Sequence, residues 1–150
     1  MECLGKPMIK HQIDRIKKSK AIHDIIVATT VNKSDDILVD FCVSNNINYF
    51  RGSELNVLSR VLQCAENSFT DIIVEIPGDC PLVDYTIVDR ALDIYINNNF
   101  DYVCNNMKPT FPGSFDVQVF STNVLNQKIN EPLCLRRAFL LFQKIKKWIV

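Results

Sequence analysis

The residue best placed for chemistry is Asp79, in the stretch Pro77-Gly78-Asp79-Cys80-Pro81-Leu82. It follows an apolar, β-branched run, residues 71–76, that stops abruptly at Pro-Gly. A short run of this kind bounded by turn formers reads as a buried strand. The strand delivers one carboxylate to the carboxyl end of a sheet, on a loop stiffened by Pro77 and Pro81, and open α/β sheets bind ligands at that end. A carboxylate held there suits a metal ion or a substrate. Asp is also a common turn residue that merely satisfies its own turn, and spacing alone leaves both readings open. His11 and His23 have no Cys or His neighbour at ligand spacing, so neither points to zinc. Cys80 shares the loop, with nothing nearby to activate its thiol. The four glycines, Gly5, Gly52, Gly78 and Gly113, stand apart from one another, so a glycine-rich phosphate cradle is absent.

The elements that must position Asp79 come from an alternating pattern. Gly5-Lys6-Pro7 is expected to start a helix, with Pro7 at the first helical position and Ile9, Ile13 and Ile16 as its apolar stripe. Residues 24–30 read as a strand. Ser34-Asp35-Asp36 is expected to cap a second helix with Leu38, Phe41 and Cys42 inward, ending at Asn45-Asn46. Residues 48–51 read as a short strand. Ser53 is the expected N-cap of a helix from Leu55 to about residue 66, with Val57, Leu58, Val61, Leu62 and Ala65 on its core face. Asp84 caps a helix carrying Ile87, Val88, Ala91, Leu92 and Tyr95, which ends at residues 97–99. Residues 101–104 form another short strand. The connector from Asn105 to Ser114 is long enough to be functional. Residues 115–120 alternate strictly, as a strand with one polar face does, and Ser121 caps a last short helix. Strands alternating with helices imply an α/β fold, with a mostly parallel sheet covered by helices on both faces.

The chain of 150 residues has zero formal net charge and six scattered cysteines with no Cys-x-x-Cys pair. Nothing in the overall charge suggests a nucleic-acid partner. The cysteines read as reduced thiols of a cytoplasmic protein, and no apolar run is long enough to span a bilayer.

Five stretches standing in order carry a family likeness: residues 5–9, 26–30, 50–54, 78–82 and 115–120. Together they resemble the cytidylyltransferases that make CMP-activated acidic sugars, most of all the branch named for spore-coat polysaccharide biosynthesis. The resemblance covers roughly residues 4–125. It implies a nucleotide-diphospho-sugar transferase fold, related to the Rossmann type, and a reaction in which a sugar oxygen attacks the α-phosphate of CTP to give a CMP-sugar and pyrophosphate. Such transfers rely on positioning and charge neutralisation, usually through Mg2+. By resemblance Asp79 is a metal- or phosphate-site ligand, and Asp116 supplies the second carboxylate of the same site; the plainer reading of Asp116 is a polar residue on the wet face of an edge strand. Arg51, Ser53 and Glu54 resemble the segment that helps form the nucleotide and sugar cleft, with Arg51 either gripping an anion in bidentate fashion or bridged to Glu54. Lys6 matches the lysine of the family's Gly-Lys-Pro segment, a point charge near the phosphates or a solvated residue at a helix start. Thr29 ends its strand within reach of a base or ribose, or else is held in buried turn hydrogen bonds.

Two departures temper that picture. Relatives have a central strand and a Gly/Arg/Lys-rich phosphate loop before the Gly-Lys-Pro segment, whereas here only a few residues precede Gly5. The domain is therefore expected to be an N-terminally truncated, incomplete unit over residues 1–126. From about Gln127 the pattern gives way to a basic amphipathic tail, residues 127–150, expected to dock on the domain or to pair subunits into a homo-oligomer rather than to lie on a membrane. The sequence supports two functions: a cytidylyltransferase acting on CTP and an acidic sugar in surface-glycan synthesis, or a non-catalytic remnant serving as a partner-binding or oligomerisation module.

Overall fold

The chain opens with a hairpin that its composition does not announce. In the computed structural model, which describes residues 2–107 and 112–129, β1 (Glu2–Cys3) pairs antiparallel with β2 (Lys6–Pro7). The turn between them has φ of 51° at Leu4 and 71° at Gly5. Two left-handed residues are what a tight hairpin turn demands, and glycine adopts that backbone freely while leucine does not. Lys6 and Pro7 therefore belong to the hairpin, and helix α1 (Met8–Ile16) begins after them, with Pro7 as its N-cap rather than its first helical residue.

The described residues form two compact units: 2–23, 72–107 and 112–120 in one, 24–71 and 121–129 in the other. In the first unit, β5 (Ile72–Glu75), β6 (Tyr102–Cys104) and β7 (Gln118–Ser121) form a sheet in the order β5-β7-β6, with β6 and β7 antiparallel. Helix α4 (Tyr85–Asn97) starts as expected at Asp84, whose carboxylate accepts from the Thr86 backbone N–H at 2.8 Å. Val83, Val88, Val117, Val119 and Phe120 are fully enclosed and make the heart of this core. Helix α1 joins it through Ile13 and Ile16, and Ser19 just beyond α1 donates a hydrogen bond to Asp89 on α4.

In the second unit, β3 (Ile26–Thr30) and β4 (Asn48–Gly52) pair in parallel, with Thr29 opposite Arg51 and Thr30 opposite Gly52. The crossover between them is a single turn at Lys33–Asp35 and then α2 (Asp36–Ser44). Strand β3 starts two residues later than expected, because the Asp24 carboxylate turns to the Ile25 N–H and the Asn48 side chain. Helix α3 (Val57–Asn67) is capped by Asn56, which accepts from the Ser59 N–H at 3.0 Å. Ser53 is therefore not the cap; its hydroxyl accepts from the Asn56 N–H one turn earlier. The later start leaves Val57 44% exposed, while Leu58, Leu62 and Ala65 are buried. Helix α5 (Thr122–Ile129) is capped by Ser121 and closes on the same unit, its Thr122 N–H donating to the Asp71 carbonyl at 3.0 Å.

Strand β7 is shorter than the alternation over residues 115–120 suggests. The Asn105 side chain donates to the Phe115 carbonyl at 2.8 Å and accepts from the Val117 N–H at 2.9 Å. A side-chain amide thus does the work of a neighbouring strand there, and residues 115–117 lie outside the ladder. Residues 108–111, and the part of the expected tail over 130–150, lie outside the described residues. Among the described residues no helix is long and apolar enough to cross a membrane.

Candidate functional site

In the first unit, Asp79 leaves the sheet on a turn held at its base. The Pro77 carbonyl accepts twice, from the Cys80 N–H at 3.1 Å and from the Gln12 side chain on α1 at 2.7 Å. The next turn closes through Val83 N–H to the Cys80 carbonyl at 3.2 Å. Asp79 projects from this frame exposed to solvent, while Cys80, 3% exposed, points inward.

Cys80 also brings the two carboxylates into one neighbourhood. Its thiol lies 3.9 Å from Asp79 Oδ1, and the Asp116 backbone N–H is near enough to act on the same sulfur. Burial pushes the thiol pKa up; the Asp116 N–H offsets part of that, and the negative charges of Asp116 and Asp79 add to it. Ser114, at φ 75°, donates to the Asp79 carbonyl and so ties the Asp116 segment to the Asp79 turn. Among the described residues neither Asp79 nor Asp116 is in an ion pair. Both are oxygen donors left unneutralised on anchored backbone, which suits a hard divalent cation that keeps most of its waters. No three His, Cys, Asp or Glu side chains gather as a complete metal cage among the described residues. A cation held here would draw its other ligands from water and a bound anion. Lys6, from the hairpin of the same unit, is half exposed and sits 3.7 Å from Asp14, a loose contact that leaves its charge usable.

In the second unit the carboxyl ends of β3 and β4 are closed by hydrogen bonds. Thr29, 6% exposed, donates to Asp35 at 2.6 Å, and Thr30 donates to the same oxygen from its hydroxyl at 2.6 Å and its N–H at 2.9 Å. Those three donors hold the Asp35 carboxyl far below the ordinary carboxylate range, the Thr29 hydroxyl contributing most. Asp35 therefore grips the strand end and makes no side-chain cap on α2. Arg51 is committed in the same way: Nε donates to the Thr30 carbonyl at 2.9 Å, Nη2 to the Asn32 carbonyl at 2.8 Å, and Nη1 pairs with Asp36 at 2.8 Å. Its partner is Asp36, not Glu54. Ser53 and Glu54 follow in an exposed loop, where the Ser53 carbonyl accepts from Arg60 at 2.7 Å.

The structure thus joins Asp79 with Asp116, and Thr29 with Arg51, while Lys6 stands at the hairpin. It also shows two residues that sequence reasoning passed over, Gln12 and Asn105, and it gives Asp35 and Asp36, expected only as a helix cap, other partners: Thr29 and Thr30 for Asp35, Arg51 for Asp36. Gln12 left a signal, since it lies one turn before Ile16 on the apolar stripe and is only 4% exposed. A polar residue on an inward face needs a partner. Asn105 had only the general tendency of Asn to bond nearby backbone.

Comparison with known proteins gives consistent results. The family model described as Cytidylyltransferase matches residues 2–142. An uncharacterized protein of Methanocaldococcus jannaschii is 45% identical over 91 residues, covering 61% of this chain and 37% of that protein. The spore coat polysaccharide biosynthesis protein SpsF of Bacillus subtilis is 30% identical over 94 residues, covering 60% of this chain and 39% of that one. A 3-deoxy-manno-octulosonate cytidylyltransferase of Geobacter metallireducens is 28% identical over 91 residues, 61% of this chain and 35% of that enzyme. The chain therefore matches less than two fifths of the length of these curated relatives. A solved cytidylyltransferase from Leptospira borgpetersenii superposes with a TM-score of 0.89 at 25% identity, covering 99% of this chain and 66% of the other.

Proposed function

The chain belongs to the cytidylyltransferase family and has the nucleotide-diphospho-sugar transferase fold, and from that premise we propose that it transfers CMP from CTP to an acidic sugar, releasing pyrophosphate. The observation that carries this reading is the unspent pair, Asp79 and Asp116, set around one buried thiol. The relative named as a 3-deoxy-manno-octulosonate cytidylyltransferase supports an acidic sugar as acceptor.

Asp79 and Asp116 would hold Mg2+, their oxygens matching its preference for one or two carboxylates plus phosphate and water. Such an ion would supply charge neutralisation for the triphosphate during the transfer. Lys6 adds a mobile positive charge for the phosphates. Taken by itself, the second unit has Arg51 committed to Asp36 and two carbonyls, so Ser53 and Glu54, in their exposed loop, are its side chains with capacity to bind hydroxyls. Thr29 serves by fixing the strand end.

The purified chain, given CTP, Mg2+ and a panel of acidic sugars, is expected to release pyrophosphate only when all three are present. Absence of release with every sugar, together with no CTP-dependent change in melting temperature, would overturn the proposal.

A further inference from the structure

Among the described residues neither Asp79 nor Asp116 is in an ion pair. The hydrogen bonds that anchor their segments to the rest of the unit act on the backbone beside them.

Two carboxamides stand at those places. Gln12, buried on α1, donates from Nε2 to the Pro77 carbonyl at 2.7 Å, two residues before Asp79. Sixty-five residues of chain separate the two partners, so the bond is a tertiary tie rather than a local turn. Asn105 brackets Asp116: it donates from Nδ2 to the Phe115 carbonyl at 2.8 Å and accepts at Oδ1 from the Val117 N–H at 2.9 Å, one residue on each side. Val117 is fully buried, so this bracket is anchored in the core. The two held segments then touch through Cys80 and through the Ser114 hydroxyl on the Asp79 carbonyl. A carboxamide suits this task better than a charged group, because it anchors a carbonyl without neutralising the carboxylate nearby.

We propose that Gln12 and Asn105 are positioning residues that set the separation of Asp79 and Asp116 and so their joint grip on a divalent cation. The inference rests on the reading of those two carboxylates as the cation site. Partners that orient metal ligands from outside the coordination sphere are typically worth roughly 10–100-fold in metal affinity.

The test measures Mn2+ binding to the full chain by electron paramagnetic resonance in the presence of CTP, and CTP binding separately in EDTA. Gln12→Leu and Asn105→Ala are each expected to weaken Mn2+ about tenfold or more while leaving metal-free CTP affinity unchanged. A general loss of structure would lower both together. Should Asn105→Ala not fold, Asn105→Ser, which keeps a shorter polar side chain without adding a charge, takes its place. In an Asp79→Asn background, Gln12→Leu is expected to add nothing further, since its effect passes through Asp79. Variants that bind Mn2+ as tightly as the natural chain overturn the proposal, as does a natural chain that binds no Mn2+. A chain whose Mn2+ affinity responds as described but which releases no pyrophosphate upholds the positioning role and defeats the transferase reading instead.

Discussion

Arg51 Nη1 lies 2.8 Å from the Asp36 carboxylate, and the remaining nitrogens of the same guanidinium donate to the Thr30 and Asn32 carbonyls. The side chain leaves β4 and staples the whole connection from β3 into α2. An arginine saturated in this way is a structural clamp.

Replacing it should therefore act on stability before it acts on substrate. Arg51→Ala is expected to cost about 1–3 kcal/mol, the range for hydrogen bonds to a charged group at a partly buried site. Arg51→Lys should recover only part of this, because an ammonium cannot span three acceptors arranged for a planar fork. Denaturant midpoints at fixed m would show the loss. Unchanged midpoints with abolished CTP binding would instead make Arg51 a ligand.

Asp35 gives the same strand end a pH dependence with a definite sign. Its carboxyl is held low by the Thr29 and Thr30 donors, so its contribution is complete above the unfolded pKa of about 3.9 and is lost as pH falls through the folded value. Asp35→Asn should melt lower than the natural chain at pH 7, and the gap should narrow as the pH is taken below about 4. A gap that stays constant or widens on acidification would contradict the assignment.

Much of this could be read from the sequence because the physics was local. The β-branched runs ending at Thr30 and Glu75, and the Asp84 cap before a helical apolar period, carry their signals within a few residues. So does the placing of Asp79 between two prolines after a buried run. The parts that could not be read depend on groups distant in sequence. Ser53 and Asn56 are both good caps three residues apart; in the structure Asn56 caps the helix and Ser53 holds the Asn56 N–H. The ladder stops at Gln118 because a side-chain amide 12 residues before Val117 substitutes for strand pairing. Nothing in a period-two pattern reports such a substitution. The same holds for Arg51, whose partners come from the neighbouring strand's exit.

Gly52 is present for a reason unrelated to turn geometry. A Cβ at this position would lie 2.8 Å from Arg60 Cγ and 3.1 Å from Phe50 Cε1. Both neighbours would have to yield, so Gly52→Ala should cost about 1–3 kcal/mol. Arg60→Ala removes the nearest obstacle, Cγ, and leaves Arg60 Cβ and Phe50 Cε1, each at 3.1 Å, to give by a few tenths of an ångström. It also removes a buried Nε that has no hydrogen-bond partner among the described residues, which offsets the lost bond to the Ser53 carbonyl. The double variant should therefore be more stable than the sum of the single losses allows, with a coupling of at least about 1 kcal/mol. Additive losses would show that the stem of Arg60 moves aside freely.

The carboxylate pair makes a prediction whose sign changes with the ion. Asp79 and Asp116 are unneutralised charges that both press on Cys80, so without metal they gain nothing from proximity. Asp79→Asn and Asp116→Asn should each melt at or slightly above the natural chain in EDTA. Adding CTP with Mg2+ should raise the natural chain's melting temperature with ion concentration, since a ligand bound only by the folded state stabilises it by mass action. The variants should respond weakly, and the order of stabilities should then reverse. Cytidylyl transfer should fall about 100-fold or more in either variant, as expected when several kcal/mol of charge stabilisation is withdrawn. A carboxylate engaged only in its own turn would behave in the opposite way, lowering stability in EDTA when replaced and leaving the response to Mg2+ intact. The two thermal curves therefore separate a cation site from a satisfied loop, even if the acceptor sugar is never identified.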